Sequence, residues 1–414
     1  MKSRLKKFLE KLGPGLITGV SDDDPSGIAT YSQAGATFGL STLWTAIVST
    51  PLMIAIQEMC GRVGVVAHKG LAGVIKEHYS KPILYFIVLI TFPATILNIA
   101  ADISAIGAVS NLLIPQIPAI LFSVLFTVLL AAFLIKFSYR KISSLLKWLC
   151  LAMFAYLIVP FLVGHNWQQV ALSTFIPSIT LSKNFIMILV ALFGTTISPY
   201  LFFWQASTEV EDQNHSHKHL IVNKSIRNMD FDIDIGMIFS NVIMFFVIFT
   251  TGTVLFNAGV TNINTVSQAA DALRPLAGNA SYLLFALGII GSGLIAIPVL
   301  AGSLSYIYAE VRGLEESLDK KFHQAKGFYI VLIIAMAIAL LIDFAGISPI
   351  TMLIYTAVLY GIISPILIAL ILHISNNRSI LGNYVNGKLS NVLGILTFVI
   401  MAVAAIALLY LQFV

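Results

Sequence analysis

Charged residues are scarce in this 414-residue sequence, where Asp, Glu, Lys and Arg together make up only 10%. A soluble domain carries about a quarter charged residues, so most of this surface is expected to face hydrocarbon and not water. Hydrophobic residues reach 58% of the chain. The composition therefore excludes a series of soluble domains and predicts one helical bundle with the lipid bilayer as its partner.

Cysteine is nearly absent as well. Cys60 and Cys150 are the two cysteines, and both lie in or beside apolar stretches, so no disulfide framework is expected. The sequence shows no glycine-rich phosphate loop, no nucleophile triad and no paired carboxylates in an aqueous segment, which argues against an enzyme and against a resident cofactor. The net charge of +5 comes from basic residues between apolar segments, where they set topology and do not indicate nucleic-acid binding.

Membrane-spanning helices need about 20 mainly apolar residues, and about eleven segments meet that requirement. They lie near 13–36, 41–66, 82–110, 118–136, 144–164, 184–209, 232–256, 279–309, 327–345, 349–373 and 390–413. With the N-terminus in the cytoplasm, the basic loops 210–231 and 310–326 fall inside, and the outer face receives only Lys183 and Arg274 clearly. This asymmetry predicts a multi-pass protein of the inner (plasma) membrane with a cytoplasmic N-terminus.

The first span is interrupted by charged and turn-forming residues. After a helical stretch that ends near Val20, the residues Ser21-Asp22-Asp23-Asp24-Pro25-Ser26-Gly27 intervene before apolar character resumes. A charged carboxylate at bilayer depth costs at least about 2.5–3.5 kcal/mol, and each unpaired backbone group adds to that cost. Such a segment is stable in a membrane only where it lines a polar cavity or binds a counter-ion.

The sixth span is interrupted at the matching place. Phe193-Gly194-Thr195-Thr196-Ile197-Ser198-Pro199-Tyr200 breaks an apolar run that begins near Phe185 and continues past Leu201. Interrupted helices at corresponding positions of two halves indicate an inverted-repeat transporter whose substrate binds between them.

The acidic residues of the first break indicate the substrate class. A half-helix that ends there directs its C-terminal carbonyls, the negative end of the helix dipole, into the gap, so carboxylates are stable beside it only with a cation. Oxygen donors without nearby Cys or His suit a hard divalent ion such as Mg²⁺, Ca²⁺ or Mn²⁺. We predict Asp24 as a direct ligand, whereas Asp22 and Asp23 are either helix caps or acceptors for water around the ion.

Further acidic residues have two readings each. Asp102, within the third span, either pairs with a neighbouring donor or lies on the ion path. Glu209, with Glu211 and Asp212, either concentrates cations at an inner vestibule or belongs to a solvated helix end.

At these breaks the chain resembles the NRAMP family of divalent-metal transporters. Asp24-Pro25-Ser26-Gly27 stands where that family has Asp-Pro-Gly-Asn, and Thr195-Thr196-Ile197-Ser198-Pro199-Tyr200 stands where it has Ala-x-x-Met-Pro-His. The stretch 57–79 and the pair Ala101-Asp102 are similar to its second- and third-helix signatures. The resemblance implies an all-α LeuT-like fold with a 5+5 inverted repeat (12–164 and 183–373), an extra helix at 389–414, and a metal site of Asp24, Gly27, Thr195 and Ser198.

Several positions depart from the family pattern. Gly27 replaces the Asn ligand, Ser198 replaces the Met ligand, Tyr200 and Gln205 replace histidines, and Ala105 replaces the Glu that follows Asp102. Losing sulfur removes the basis for preferring Mn²⁺ or Fe²⁺ over a harder ion, and losing bulk widens the site for a hydrated ion. Losing His and Glu removes groups that carry protons near neutral pH. Tyr200 and Gln205 then remain as outer contacts or as part of the ion path.

This set of departures resembles the NRAMP-related magnesium transporter branch. That resemblance implies uptake of partly hydrated Mg²⁺, and of Mn²⁺, by alternating access without proton coupling. The alternatives are a proton-coupled Mn²⁺/Fe²⁺ importer of the ordinary NRAMP kind and a transporter of organic cations or amino acids on the same fold. A selective channel is a further alternative, although paired half-helices favour alternating access.

Overall fold

The computed structural model of the chain describes residues 13–137, 153–216, 222–318 and 320–413, and the regular elements in those ranges are helices. The first half contains α1 (Pro14–Asp22), α2 (Pro25–Phe38), α3 (Trp44–Ala67), α4 (Leu71–His78), α5 (Lys81–Leu113), α6 (Ala119–Lys136), α7 (Ala155–Leu162) and α8 (Trp167–Phe175). The second half contains α9 (Lys183–Thr196), α10 (Pro199–Ser216), α11 (Val222–Val254), α12 (Val266–Ala270), α13 (Arg274–Ala277), α14 (Ser281–Arg312), α15 (Lys326–Asp343), α16 (Pro349–Ser375), α17 (Arg378–Leu381) and α18 (Lys388–Phe413).

Most long helices follow the predicted spans closely, but α10 extends to Ser216 and α11 begins at Val222, so both enter the predicted loop 210–231. By length and composition alone, 8 helical segments in the described ranges are able to cross a membrane. The fifth predicted span, 144–164, is described only from residue 153 onward, where α7 covers Ala155–Leu162. Both predicted interruptions are present, since the first span divides into α1 and α2 and the sixth into α9 and α10.

Several short helices were not predicted, and the two longest of them are α4 and α8. In α4, Leu71, Val74 and Ile75 are buried while Lys76 and Glu77 are exposed, which is the pattern of an amphipathic helix. The second is α8, which begins after an Asn166 cap that accepts hydrogen bonds from Gln168 N and Gln169 N. Both are shorter than a membrane span, so a search for segments of about 20 mainly apolar residues does not detect them.

The broken helices exchange partners between the two halves. α1 and α2 of the first span lie along α11, the seventh span, and α10 of the sixth span lies along α3, the second span. The third and eighth spans, α5 and α14, pack on each other. A two-fold relation between two sets of five helices produces this reciprocal packing.

Glycines seat each first half-helix against the backbone of its neighbour. A Cβ on Gly19 of α1 would lie 2.1 Å from the carbonyl oxygen of Gly236 in α11. A Cβ on Gly194 of α9 would lie 2.1 Å from the carbonyl oxygen of Ala357 in α16. Small residues of this kind allow membrane helices to approach closely, and here they fix both half-helices just before the breaks.

The surface is apolar and the carboxylates at the breaks are inside. Leu89 of α5, Leu341 of α15 and Val403 of α18 are among the many exposed large apolar side chains, as expected for helices in contact with lipid tails. Cys60 is free and buried in α3, and Cys150 lies outside the described residues. This arrangement places the polar chemistry of the chain at the two breaks.

Candidate functional site

The first break, between α1 and α2, is two residues long. α1 ends at Asp22 and α2 begins at Pro25, so Asp23 and Asp24 form the link. Pro25 occupies the first helical position, where a missing N–H costs no helical hydrogen bond. The Asp24 carboxylate accepts a hydrogen bond from Gly27 N at 2.7 Å and so caps α2. The break is shorter than the sequence suggests, and the N-cap of α2 is Asp24, while Asp23 occupies the C-cap position of α1.

The second break has the same form without the charge. α9 ends at Thr196 and α10 begins at Pro199, so Ile197 and Ser198 form the link. The Ser198 hydroxyl lies 2.6 Å from the carbonyl oxygen of Thr195 and donates back into the last turn of α9. Its proton is thus used within its own helix, and its oxygen lone pairs stay available to a cation.

The two breaks face each other. A Cβ on Gly27 would lie 3.4 Å from Thr195 Oγ1 and 3.2 Å from the carbonyl oxygen of Asp22. Tyr200 Oη, in the first turn of α10, donates to the carbonyl oxygen of Ser21 at 3.1 Å. The structure therefore brings Gly27 and Thr195 together, and Tyr200 links the second break to the end of α1.

Asp24 is also held by a residue that the sequence analysis missed. Asn98 Nδ2 of α5 donates to Asp24 Oδ2 at 2.9 Å, while Gly27 N binds Oδ1. Asn98 Oδ1 in turn accepts a hydrogen bond from Thr356 Oγ1 of α16 at 3.0 Å. A signal was present in the sequence, because Asn98 lies one helical turn before Asp102 on the same face of an apolar helix.

Asp22 and Asp23 share one hydroxyl from the seventh span. Ser240 Oγ of α11 lies 2.7 Å from Asp22 Oδ2 and 3.2 Å from Asp23 Oδ1, and its single proton serves one carboxylate at a time. The remaining oxygens, Asp22 Oδ1 and Asp23 Oδ2, are buried without a hydrogen-bond partner among the described residues. The first break thus presents two carboxylates towards α11 and a third, Asp24, towards α5.

Asp102 is a fourth buried carboxylate, on α5. Its exposed fraction is 0%, and in the described part of the chain neither of its oxygens has a side-chain hydrogen-bond partner. Its charge and that of Asp24 are close enough to repel each other. No described side chain donates to Asp102, and both interpretations of this residue, pairing with a neighbouring donor and a place on the ion path, stay predictions.

Gln205 and Glu209 lie on α10, away from the break itself. Gln205 Oε1 accepts a hydrogen bond from Thr18 Oγ1 of α1 at 2.6 Å, and its Nε2 donates to Glu209 Oε1 at 2.8 Å. Glu209 is only 5% exposed, so it does not belong to a solvated helix end. The two side chains form a polar link between α1 and α10, and their place on the ion path stays a prediction.

Negative charge is concentrated at the first break without a matching positive side chain. Asp22, Asp23, Asp24 and Asp102 are each at most 2% exposed, and none forms an ion pair with a described residue. The carbonyl ends of α1 and α9 add further negative potential. A buried carboxylate is stable only when a proton or a cation neutralises it, so this arrangement is unfavourable for an anion.

The oxygen atoms of the gap are able to hold a hard cation. Asp24 keeps lone pairs that Gly27 and Asn98 do not use, and Thr195 Oγ1 and the carbonyls at the helix ends add neutral oxygens. Within the described ranges, no three Asp, Glu, His or Cys side chains are arranged as a ready ligand set. The Asp24 carboxylate and the neutral oxygens beside it are the kind of donors that hard cations such as Mg²⁺ accept.

Known sequences of one transporter family match almost the whole chain. The family described as Natural resistance-associated macrophage protein-like (Nramp) matches residues 15–411. The chain is 26% identical to the divalent metal cation transporter MntH of Clostridium acetobutylicum over 99% of this chain and 92% of that protein. It is 24% identical to MntH of Klebsiella pneumoniae strain 342 over 94% of this chain and 91% of that protein.

Solved structures match the fold at low sequence identity. A crystal structure of the Eremococcus coleocola manganese transporter has a TM-score of 0.76 and 20% identity, covering 98% of this chain and 87% of that one. Mhp1, a nucleobase-cation-symport-1 family transporter, has a TM-score of 0.57 and 12% identity, covering 97% of this chain and 91% of that one. The predicted all-α, LeuT-like fold is confirmed.

Proposed function

The chain belongs to the Nramp family, and on that premise we propose that it carries divalent metal cations across a membrane by alternating access. It is a multi-pass membrane protein. The relatives named above are divalent metal cation transporters and a manganese transporter, which supports the same substrate class here. In this proposal the cation binds in the gap between the two helix breaks, with Asp24, Gly27, Thr195 and Ser198 around it.

One observation carries the proposal. Four buried carboxylates, those of Asp22, Asp23 and Asp24 at the first break and that of Asp102 on α5, have no cationic partner among the described residues. Removing the water from an unpaired charge costs several kcal/mol in a protein interior. A cation that enters the gap relieves this cost, so its binding there is favourable. The cation is released when the gap reopens.

We infer that Mg²⁺ is the preferred ion, with Mn²⁺ also accepted. Ser198 supplies oxygen where a soft sulfur would favour transition metals, and Gly27 leaves space beside Thr195. Mg²⁺ sheds its water reluctantly and usually keeps several water molecules, so a site built mainly of neutral oxygens suits a partly hydrated ion. With Tyr200 and Gln205 at positions where histidines would carry protons near neutral pH, we propose uptake without proton coupling.

The proposal includes a topology. The excess of Lys and Arg in the loops 210–231 and 310–326 favours a cytoplasmic N-terminus in the inner (plasma) membrane. Residues 12–164 and 183–373 are proposed as the two inverted repeats, with 389–414 as an additional helix. The reciprocal packing of the first span on the seventh and the sixth on the second supports this division. The bound metal is transported cargo, and the proposal includes no resident cofactor.

Flux measurements in proteoliposomes test the proposal. Purified protein would be reconstituted, and uptake of Mn²⁺ would be followed with and without competing Mg²⁺ while a dye reports the lumenal pH. We expect saturable Mn²⁺ uptake that Mg²⁺ inhibits, with no proton movement above that of empty vesicles. Proton entry in step with the metal would support the ordinary proton-coupled Mn²⁺/Fe²⁺ importer instead, and uptake of amines or amino acids without metal uptake would support an organic-substrate transporter.

A further inference from the structure

Asp24 has a second supporting residue on a different helix. Gly27 contributes only its backbone N–H, which donates to Asp24 Oδ1 at 2.7 Å. The side-chain amide that faces the other oxygen comes from Asn98, whose Nδ2 lies 2.9 Å from Asp24 Oδ2. Asn98 is fully buried within the apolar helix α5, where an unpaired amide would be costly. Its position therefore depends on the partners that it finds there.

Asn98 is oriented in turn by the tenth span. Thr356 Oγ1 of α16 lies 3.0 Å from Asn98 Oδ1 and 2.8 Å from the carbonyl oxygen of Leu353 in its own helix, so its single proton is shared between these two acceptors. A carboxylate accepts hydrogen bonds and cannot donate them, so the amide must turn its NH₂ group to Asp24 and its oxygen to Thr356. Ser26, next to Pro25 in α2, donates to the carbonyl oxygen of Leu353 at 2.9 Å and lies 3.4 Å from Thr356 Oγ1. The chain from Thr356 through Asn98 to Asp24 therefore joins α16, α5 and the first break.

This chain fixes the carboxylate without neutralising it. A Lys or Arg beside Asp24 would hold it equally well, but its positive charge would compete with an incoming cation. The amide donates a hydrogen bond and leaves the full negative charge of Asp24 in place. With one donor on each oxygen, the carboxylate cannot rotate freely, and its remaining lone pairs point in fixed directions. Residues that orient a metal ligand in this way typically contribute 10–100-fold to metal affinity.

We propose that Asn98 is the residue that positions Asp24 for the divalent cation and that Thr356 positions Asn98. This inference rests on the proposed function, since it assigns a role at the proposed cation site. Asn98 acts through Asp24, so it is a positioning residue and not a ligand. Its loss lowers the affinity for the metal, whereas the rate at saturating metal stays close to that of the unchanged protein.

Uptake kinetics of matched variants test the inference. KM and maximal rate for Mn²⁺ would be measured in proteoliposomes for Asn98→Leu, which keeps the volume but removes the amide, and for Thr356→Val, which removes only the hydroxyl. Thr356→Ser restores the hydroxyl and serves as the rescue. Ser110→Ala is the control, because Ser110 is also buried in α5 but donates only to Ile106 O of its own helix.

The expected result is a KM raised about 10–100-fold in Asn98→Leu, with a smaller rise in Thr356→Val and nearly unchanged values in Thr356→Ser and Ser110→Ala. A merely structural role would lower the maximal rate through lost folded protein and leave KM unchanged, which would overturn the inference. If Asn98→Leu does not fold, the contrast between Thr356→Val and Thr356→Ser decides.

Asn98→Asp separates positioning from direct ligation. It places a second carboxylate against Asp24 Oδ2, so we expect weaker binding, and tighter binding would show that the residue at 98 touches the ion and would overturn the inference. If vesicles with the unchanged protein take up no divalent metal, both the proposed function and this inference are wrong. Uptake by the unchanged protein with an unaltered KM in Asn98→Leu would remove this inference alone.

Discussion

The first and second helix breaks share a backbone form and differ in charge. Each is a two-residue link followed by proline at the first helical position, Pro25 in one and Pro199 in the other. The first link contains two carboxylates, whereas the second, Ile197 and Ser198, contains none. The form of a break is therefore set by proline and by helix packing, and its chemistry is set separately by the side chains placed on it.

The two breaks are supported by similar glycine packing, but their polar side chains differ. Gly19 before the first break and Gly194 before the second each meet a backbone oxygen of a neighbouring helix at the same calculated distance of 2.1 Å from an added Cβ. In contrast, Asn98 of the third span donates a hydrogen bond to Asp24, while the Ser198 hydroxyl donates back to the last turn of α9. We infer that one half supplies the charge that attracts a cation, and the other supplies neutral oxygens.

The largest expected effect comes from removing the charge at the first break. Asp24→Asn should lower Mn²⁺ uptake by about 100-fold or more, since loss of a buried charge partner costs about 3 kcal/mol or more. Ser198→Ala, the matched change at the second break, should lower uptake by less than about tenfold, because a single neutral contact contributes about 0.5–1.5 kcal/mol. Initial rates in proteoliposomes measure both. Equal losses of uptake in the two variants would contradict the inferred difference between a charged first break and a neutral second break.

The second-largest expected effect comes from the glycines that precede the two breaks. Gly19→Ala and Gly194→Ala should each destabilise the protein by about 1–3 kcal/mol, because the new methyl group overlaps a backbone oxygen that cannot move without shifting a helix. Thermal unfolding in detergent measures the change. Gly387→Ala is the control, since no atom lies within 4 Å of its added Cβ. A large loss at one glycine and none at the other would mean that the two breaks are supported differently.

Much of the fold follows from the sequence because hydrocarbon permits few structures. Apolar length alone predicts the spans, and charge or proline within a span predicts the breaks. The interruptions were predicted as seven and eight residues, Ser21–Gly27 and Phe193–Tyr200, whereas each is two residues long in the structure. The difference arises because hydroxyl-bearing residues, glycines and even Asp22 keep a helical backbone when neighbouring helices bury them. An interpretation of one span alone does not include those neighbouring helices.

The candidate site was only half accessible to sequence reasoning. The acidic first break itself predicts Asp24, whereas Gly27 and Thr195 are predicted by the resemblance, and their role at a metal site stays a prediction. Asn98 and Ser240 reach the first break from the third and seventh spans, through contacts between residues far apart in sequence. Each lies in a long, mainly apolar helix, and nothing local indicates which carboxylate it meets.

A softer ligand at the second break tests whether this break affects the preference between Mg²⁺ and Mn²⁺. Ser198→Met adds a sulfur beside the neutral oxygens, and soft donors favour transition metals over Mg²⁺. We expect the ability of Mg²⁺ to inhibit Mn²⁺ uptake to fall by about tenfold, which corresponds to about 1.4 kcal/mol. Ser198→Leu is the control for added bulk, because Ser198 is only 1% exposed. The same fall in Ser198→Leu would assign the effect to size, and sulfur would then play no part.

The smallest effect concerns the hydrogen bond from Tyr200, in the first turn of α10, to the last turn of α1. Tyr200→Phe removes the donor to the carbonyl oxygen of Ser21 but keeps the ring contact with Tyr360. Because one net hydrogen bond contributes about 1 kcal/mol, thermal unfolding should shift only slightly, and KM for Mn²⁺ should stay nearly unchanged. A KM that rises as steeply as in Asp24→Asn would place the Tyr200 hydroxyl at the ion. The second break would then contribute more than neutral support, and the division of roles between the two breaks would be wrong.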